Sequence, residues 1–322
     1  PEENTSSGTQ SYELYRQSTA AVDHVDIENT LDSFTVKTTG TNAWTIEGLE
    51  QFTMRDDFLE AVITNAAAPK ASEKVGDDIT DLSQYGLDNP SGKATAYFTD
   101  GTSQTFEIGG QVPGENKYYV RLAGENTVYV ISNSYMTYFL KAQTDFVSAQ
   151  ITPTSESGIT IQDATFSGTC RPAPIVLGRA TDEEVEADPT LKYNVYRVTS
   201  PHEGGVDFDR GGKFIQYVNG MMGEGVAAIK PTAEDMAQYG LDNPYSIVEY
   251  STIDGQSVKL SFGKTDAGEA EGIRYVYREG VPLIYTVNAS DVAWAEVTEQ
   301  EMISPLYFSP GIDDIAEIHV VS

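Results

Sequence analysis

Leu82-Ser-Gln-Tyr-Gly-Leu-Asp-Asn-Pro90 recurs as Met236-Ala-Gln-Tyr-Gly-Leu-Asp-Asn-Pro244. Residues 84–90 and 238–244 are identical, at a shift of 154 positions. Identity over seven consecutive residues does not arise by chance, and a fixed shift is the mark of a repeated structural unit. The heptapeptide itself reads as a helix stop feeding a strand. Thr232 has the chemistry of an N-cap and Asp235 that of the residue reaching back to it; Asp78 and Asp81 have the same spacing in the first copy. Gly86 and Gly240 fall where a left-handed residue ends a helix, and Leu87 and Leu241 supply the apolar contact that follows. Pro90 and Pro244 forbid continuation and push Asn89 and Asn243 to extended backbone. A second reading makes Tyr85, Asp88 and Asn89, with Tyr239, Asp242 and Asn243, a ligand site; capping already explains most of the pattern.

The likeness extends outward in both directions. Tyr97-Phe-Thr-Asp-Gly-Thr-Ser-Gln-Thr-Phe-Glu-Ile-Gly109 corresponds to Ser251-Thr-Ile-Asp-Gly-Gln-Ser-Val-Lys-Leu-Ser-Phe-Gly263. Each reads as two strands joined through Asp-Gly, where a type I′ turn needs positive φ. Tyr118-Tyr-Val-Arg121 and Val128-Tyr-Val-Ile131 resemble Tyr275-Val-Tyr-Arg278 and Leu283-Ile-Tyr-Thr-Val287, two more alternating strands. Upstream, residues 57–66 place Phe58, Leu59, Val62, Ile63 and Ala66 on one helical face, and residues 213–222 do so with Phe214, Ile215, Val218, Met221 and Met222. Phe146-Val-Ser148 has its counterpart in Met302-Ile-Ser304. These matches predict an α+β fold of two tandem repeats, each an antiparallel β-meander packed with an amphipathic helix and short helices. The expected division is a flexible linker over 1–17, a first module over 18–150 and a second over 151–322. The second carries a C-terminal strand at 312–321.

The 322 residues include 49 acidic and 20 basic side chains, a formal net charge of -29. A surface of that sign repels nucleic-acid phosphates and anionic membranes. It keeps the protein soluble, and it suits a basic partner or cations. Cys170 is the lone cysteine, so the chain forms no internal disulfide. His24, His202 and His319 lie in no motif that would activate it. No window reaches the roughly 18 apolar residues of a membrane-spanning helix. The polar opening 1–10 begins at Pro1 instead of Met, which predicts a linker behind a removed anchor.

Asp207-Phe-Asp209 before Gly211-Gly212 loosely resembles a calcium loop but lacks its ligand series; acidic residues at a helix start explain it better. Asp313-Asp314 carries the same ambiguity. No serine elbow, histidine cluster or phosphate loop is present, and neither Gly211-Gly212 nor Gly109-Gly110 fits a dinucleotide fingerprint. Trp44 and Trp294, with 19 tyrosines, could line a glycan surface, but such aromatics more often pack in the core. No catalytic, cofactor-binding or metal-ligating residue is assigned.

The Tyr-Gly-Leu-Asp-Asn-Pro signature, the Asp-Gly hairpin, the segment Phe-Glu-Ile-Gly109, and Tyr118-Tyr-Val-Arg121 followed by Val128-Tyr-Val resemble the bacterial domain of unknown function 4340 family, across both modules. The family carries no agreed catalytic residues. The resemblance implies a membrane-tethered domain outside the cytoplasm. It also implies an accessory role beside ABC-type transport systems of the kind linked to gliding motility. The expectation is therefore a non-enzymatic extracytoplasmic interaction or scaffold protein with protein partners at the cell envelope. The alternative is a module binding a small molecule, glycan or cation in a cleft between the repeats.

Overall fold

The computed structural model describes residues 11–187, 191 and 195–304. The chain divides into two compact units, one ending at Ser148 and the other starting at Ala149.

The first unit runs β1 (Tyr12–Glu13), β2 (Val22–Asn29), β3 (Ser33–Gly40), β4 (Ala43–Ile46), α1 (Asp56–Ala67), β5 (Lys70–Ala71) and β6 (Glu73–Gly76). A 3₁₀ turn, Ser83–Tyr85, precedes β7 (Gly92–Phe98), β8 (Ser103–Gln111), β9 (Lys117–Leu122), β10 (Val128–Ser132) and the short α2 (Asn133–Met136). Eight strands form one antiparallel sheet in the order β4-β3-β2-β7-β8-β9-β10-β6. Alternation decides its faces: in β7, Ala94, Ala96 and Phe98 point into the core while the residues between them are half-buried. α1 covers β2, β4 and β7, burying Leu59, Val62, Ile63, Ala66 and Ala67.

The second unit runs β11 (Ile161–Ser167), β12 (Ile175–Arg179), α3 (Asp182–Ala187), β13 (Tyr196–Ser200), β14 (Gly204–Gly205), α4 (Phe214–Tyr217), β15 (Gly225–Ile229) and α5 (Ala233–Gln238). It continues with β16 (Ser246–Thr252), β17 (Ser257–Gly263), α6 (Asp266–Glu271), β18 (Ile273–Arg278), β19 (Leu283–Asn288) and α7 (Glu299–Met302). Its sheet order is β14-β13-β12-β11-β16-β17-β18-β19-β15. Without the extra β14, this is the topology of the first sheet strand for strand. Smaller features repeat as well. Val147 bridges Met54 just before α1, and Ile303 bridges Val206 at the matching place. Arg55 N–H donates to the Phe146 carbonyl and Asp207 N–H to that of Met302, both at 2.8 Å. The chain is therefore α+β in two tandem copies.

Both heptapeptides close a Schellman turn. Gly86 has φ 65° and Gly240 φ 68°. Leu87 N–H returns to the Leu82 carbonyl (3.1 Å) and Leu241 N–H to that of Met236 (2.7 Å), while Gly86 N–H bonds the Ser83 carbonyl (3.0 Å) and Gly240 N–H that of Ala237 (3.1 Å). Thr232 and Asp235 form the expected reciprocal capping box. The first copy differs: Asp78 takes φ 55° and Asp81 caps Ser83, so only a 3₁₀ turn forms.

Other expectations need correction. Residues 11–17 are not linker. β1 pairs with β5, the Tyr15 hydroxyl donates to the Ala66 carbonyl at 2.6 Å, and Gln17 N–H bonds Ala67. Ala149 and Gln150 belong to the second unit. The Asp-Gly turns are not type I′: Gly101 and Gly255 have φ 85°, but Asp100 and Asp254 are absent from the positive-φ residues. The Asp100 carboxylate accepts from Thr102 N–H, which fits a type I turn ending on left-handed glycine. The predicted strand at 312–321, Asp313-Asp314 and His319 lie outside the described residues. No helix among the described residues is long and apolar enough to cross a membrane.

Candidate functional site

The helix predicted over 213–222 is where the two modules diverge. α1 has 12 residues, whereas α4 has 4 and follows a 3₁₀ turn at Gly211–Lys213. Its end is fixed by neighbouring chain. The Thr152 hydroxyl donates to the Val218 carbonyl (2.6 Å) and accepts from Met221 N–H, and Asn219 exchanges hydrogen bonds with Ser155. Gly220 turns with φ 68° against Thr154. Phe214, Val218 and Met221 are buried as the helical pattern requires, but Met222 is 59% exposed and Tyr217 50%.

The short cover leaves a groove with two lobes. One is a cavity of about 300 Å³ walled by Met221, Met222, Val287 and Val292. The other, of about 380 Å³, has Asp209, Arg210, Lys213, Glu296 and Glu301 on its walls. Tyr217, Asp291 and Trp294 belong to both. Trp294 packs against Phe262 (centroids 5.7 Å apart) and Phe214 (6.2 Å). Its indole nitrogen is buried and has no hydrogen-bond partner among the described residues. In the first module the position matching Trp294 is Tyr138, whose ring packs on Phe58 (5.1 Å).

The segment carrying Trp294 is held from below. Arg171 donates to the carbonyls of Ser167 and Ala295 (2.7 Å each) and Val297 (3.2 Å), and the Ser246 hydroxyl also donates to Ala295. Burial lowers the Arg171 pKa against the pull of nearby Cys170, Glu296 and Tyr245. Glu296 pairs with Arg274, which also binds Glu269 of α6. Burial works against the Arg274 charge, and its two carboxylate partners outweigh it and raise its pKa. Asp209 and Asp291, by contrast, make no ion pair among the described residues.

The heptapeptide residues lie elsewhere. Tyr85 packs on Tyr119 (4.9 Å) and Tyr239 on Tyr275 (4.6 Å), each closing its turn against the third meander strand. Asp88, Asn89, Asp242 and Asn243 are exposed and line none of these cavities. Cys170 is half-buried and free. His24 bonds Asp23 and His202 bonds Glu299 instead. Asp207 accepts from Asp209 N–H at 2.9 Å, a local turn ahead of the 3₁₀ turn whose N-cap is Arg210; neither aspartate lies in the first turn of a helix, contrary to expectation. Among the described residues no three His, Cys, Asp or Glu side chains are grouped so as to hold a metal ion. Trp294 is core; Trp44 is half-buried on edge strand β4. Sequence reasoning missed Tyr217, Met222 and Asp291 as surface residues. The available signal was Gly211-Gly212 and Gly220 bracketing the helix too tightly for three turns.

A family model described as Domain of unknown function (DUF4340) matches residues 44–193 and 197–322, each segment containing one copy of the heptapeptide. No curated protein and no solved structure matches the chain.

Proposed function

This chain belongs to the family described as Domain of unknown function (DUF4340), in two tandem copies, and from that premise we propose that it is a non-catalytic interaction protein of the cell envelope. Its role in this reading is accessory to an ABC-type membrane transport complex, held outside the cytoplasm by an anchor. The second module is the binding element. The observation that supports this is the groove around Trp294. Two of the five large apolar side chains exposed among the described residues, Tyr217 and Met222, stand on it. Clustered apolar exposure of this kind marks contact surfaces. A second reading, a small-molecule binding module, draws on the same lobes, whose volumes of about 300 and about 380 Å³ lie at the lower end for ligand sites.

The test is purification of the full-length protein from its own membranes, with its partners identified by mass spectrometry. The expected result is recovery of a permease or ATPase subunit with the parent, and its loss with the double variant Tyr217→Ser, Met222→Ser. Recovery that the double variant leaves undiminished would sink the assignment of the groove, and a protein purified alone would sink the transport association.

A further inference from the structure

The two lobes differ in chemistry and share Tyr217, Asp291 and Trp294 in their walls. A ligand that fills both must be apolar at one end and polar at the other. Methionine walls adapt to varied apolar side chains. At the polar end, Glu296 is committed to Arg274, and Glu301 to the Thr298 cap. Among the described residues Asp209 and Lys213 make no ion pair, and Asp291 accepts only long hydrogen bonds from Asn288 and Ser290 (3.5 Å each); Arg210 reaches Asp207 at 3.9 Å. The local balance is thus mixed, and the field of the whole chain, at -29, decides the sign of the preferred partner. Tyr217, half-exposed, shares the walls of both lobes with Asp291, a setting that suits a cation.

Resting on the reading of the second module as a binding element, we propose that the groove takes a peptide segment of a protein partner in which bulky apolar residues are followed by lysine or arginine. The apolar side chains enter the lobe of Met221 and Met222, and the cation crosses Tyr217 to Asp291 and Asp209. Recognition of this kind puts affinity in the apolar anchor and selectivity in the charges.

The test uses the Trp44→Phe chain, so that Trp294 is the one indole reporting. It is titrated with a blocked Gly-Leu-Phe-Lys-Lys-Gly peptide, with its Glu-for-Lys analogue, and with its Ser-for-Leu-Phe analogue. Maltotriose and an N-acetylglucosamine trimer serve as glycan probes. The expected result is a saturable change in Trp294 emission with the Lys peptide alone. Asp209→Asn with Asp291→Asn should weaken it about fivefold or more, and so should a rise in salt from about 0.05 to about 0.5 M. Equal binding of the Glu peptide, or an unaffected double Asn variant, overturns the basic-peptide class while the groove stands as a binding element. Response to a glycan alone does the same. Silence towards every probe overturns this proposal; the binding reading falls with it only if Tyr217→Ser, Met222→Ser also keeps its membrane partner.

Discussion

Gly263 lies so close to Tyr239 that a Cβ added to it would sit 2.0 Å from the tyrosine carbonyl oxygen. Gly109 stands in the same relation to Tyr85, at 2.3 Å. The heptapeptide turn therefore rests on the end of the second meander strand, backbone against backbone. That contact accounts for the glycine closing both Phe-Glu-Ile-Gly109 and Leu-Ser-Phe-Gly263. Substitution by alanine should rank by crowding. Gly255 has φ 85° and open space around it, so Gly255→Ala carries only left-handed strain, about 1 kcal/mol. Gly240→Ala adds a contact at 2.9 Å with the Lys264 carbonyl, and Gly263→Ala must move backbone, about 2–4 kcal/mol. Urea unfolding gives the order; equal losses at Gly255 and Gly263 would show that the close approach is not felt.

Arg171 ties β11 to the segment behind Trp294 through three carbonyls. Arg171→Met should cost about 2–3 kcal/mol, since hydrogen bonds from a charged donor are lost and Val297 is left without its guanidinium donor. Arg171→Lys should restore little of this, because one ammonium does not reproduce the planar fork. Both variants should also change Trp294 emission. Denaturant midpoints and emission spectra check the pair, and a lysine variant as stable as the parent would refute the bidentate role.

The repeat was legible because identity at a fixed shift needs no structural knowledge, and the Schellman turn because Gly, Leu and Pro act within a few residues of one another. The glycine at the strand end was visible but its partner was not: Gly263 meets Tyr239 across 24 positions, a distance no periodicity spans. The length of α4 was misread because Phe214, Val218 and Met221 keep helical spacing after the helix has ended, held by Thr152. The groove was illegible for the same kind of reason. Tyr217 and Met222 come from one segment and Asp291 and Trp294 from another, and they meet only through the sheet order.

Glu50 offers a test of the electrostatics of the first module. Lys37 lies 2.6 Å away, and its hydrogen bond, with help from backbone donors, brings the Glu50 carboxyl down to about 2 from an ordinary 4.5. A carboxyl with a lowered folded value stabilises the fold fully above its unfolded value and ceases to do so as pH falls through the folded one. Lys37→Met should therefore lower stability at neutral pH. The gap to the parent should narrow below about 4.5 and close towards about 2. Glu50 carbonyl chemical shifts should show its midpoint rising part of the way in the variant, since the backbone donors remain. A gap that stays constant across this range would refute the linkage.

Trp294 combines deep burial, at 5% exposure, with an indole N–H that no acceptor among the described residues meets. Two terms oppose each other in Trp294→Phe. The smaller ring leaves a void that costs about 1 kcal/mol by the usual cavity relation. Removing a buried donor that lacks a partner recovers about 1–3 kcal/mol of desolvation. Trp294→Phe should accordingly leave stability within about 1 kcal/mol of the parent, while Trp294→Ala, which loses the whole ring, should cost about 3–5 kcal/mol. A loss of about 3 kcal/mol in Trp294→Phe would mean that the indole nitrogen is satisfied in solution. The expectation that an unpaired buried donor offsets the lost ring volume would then have to be abandoned.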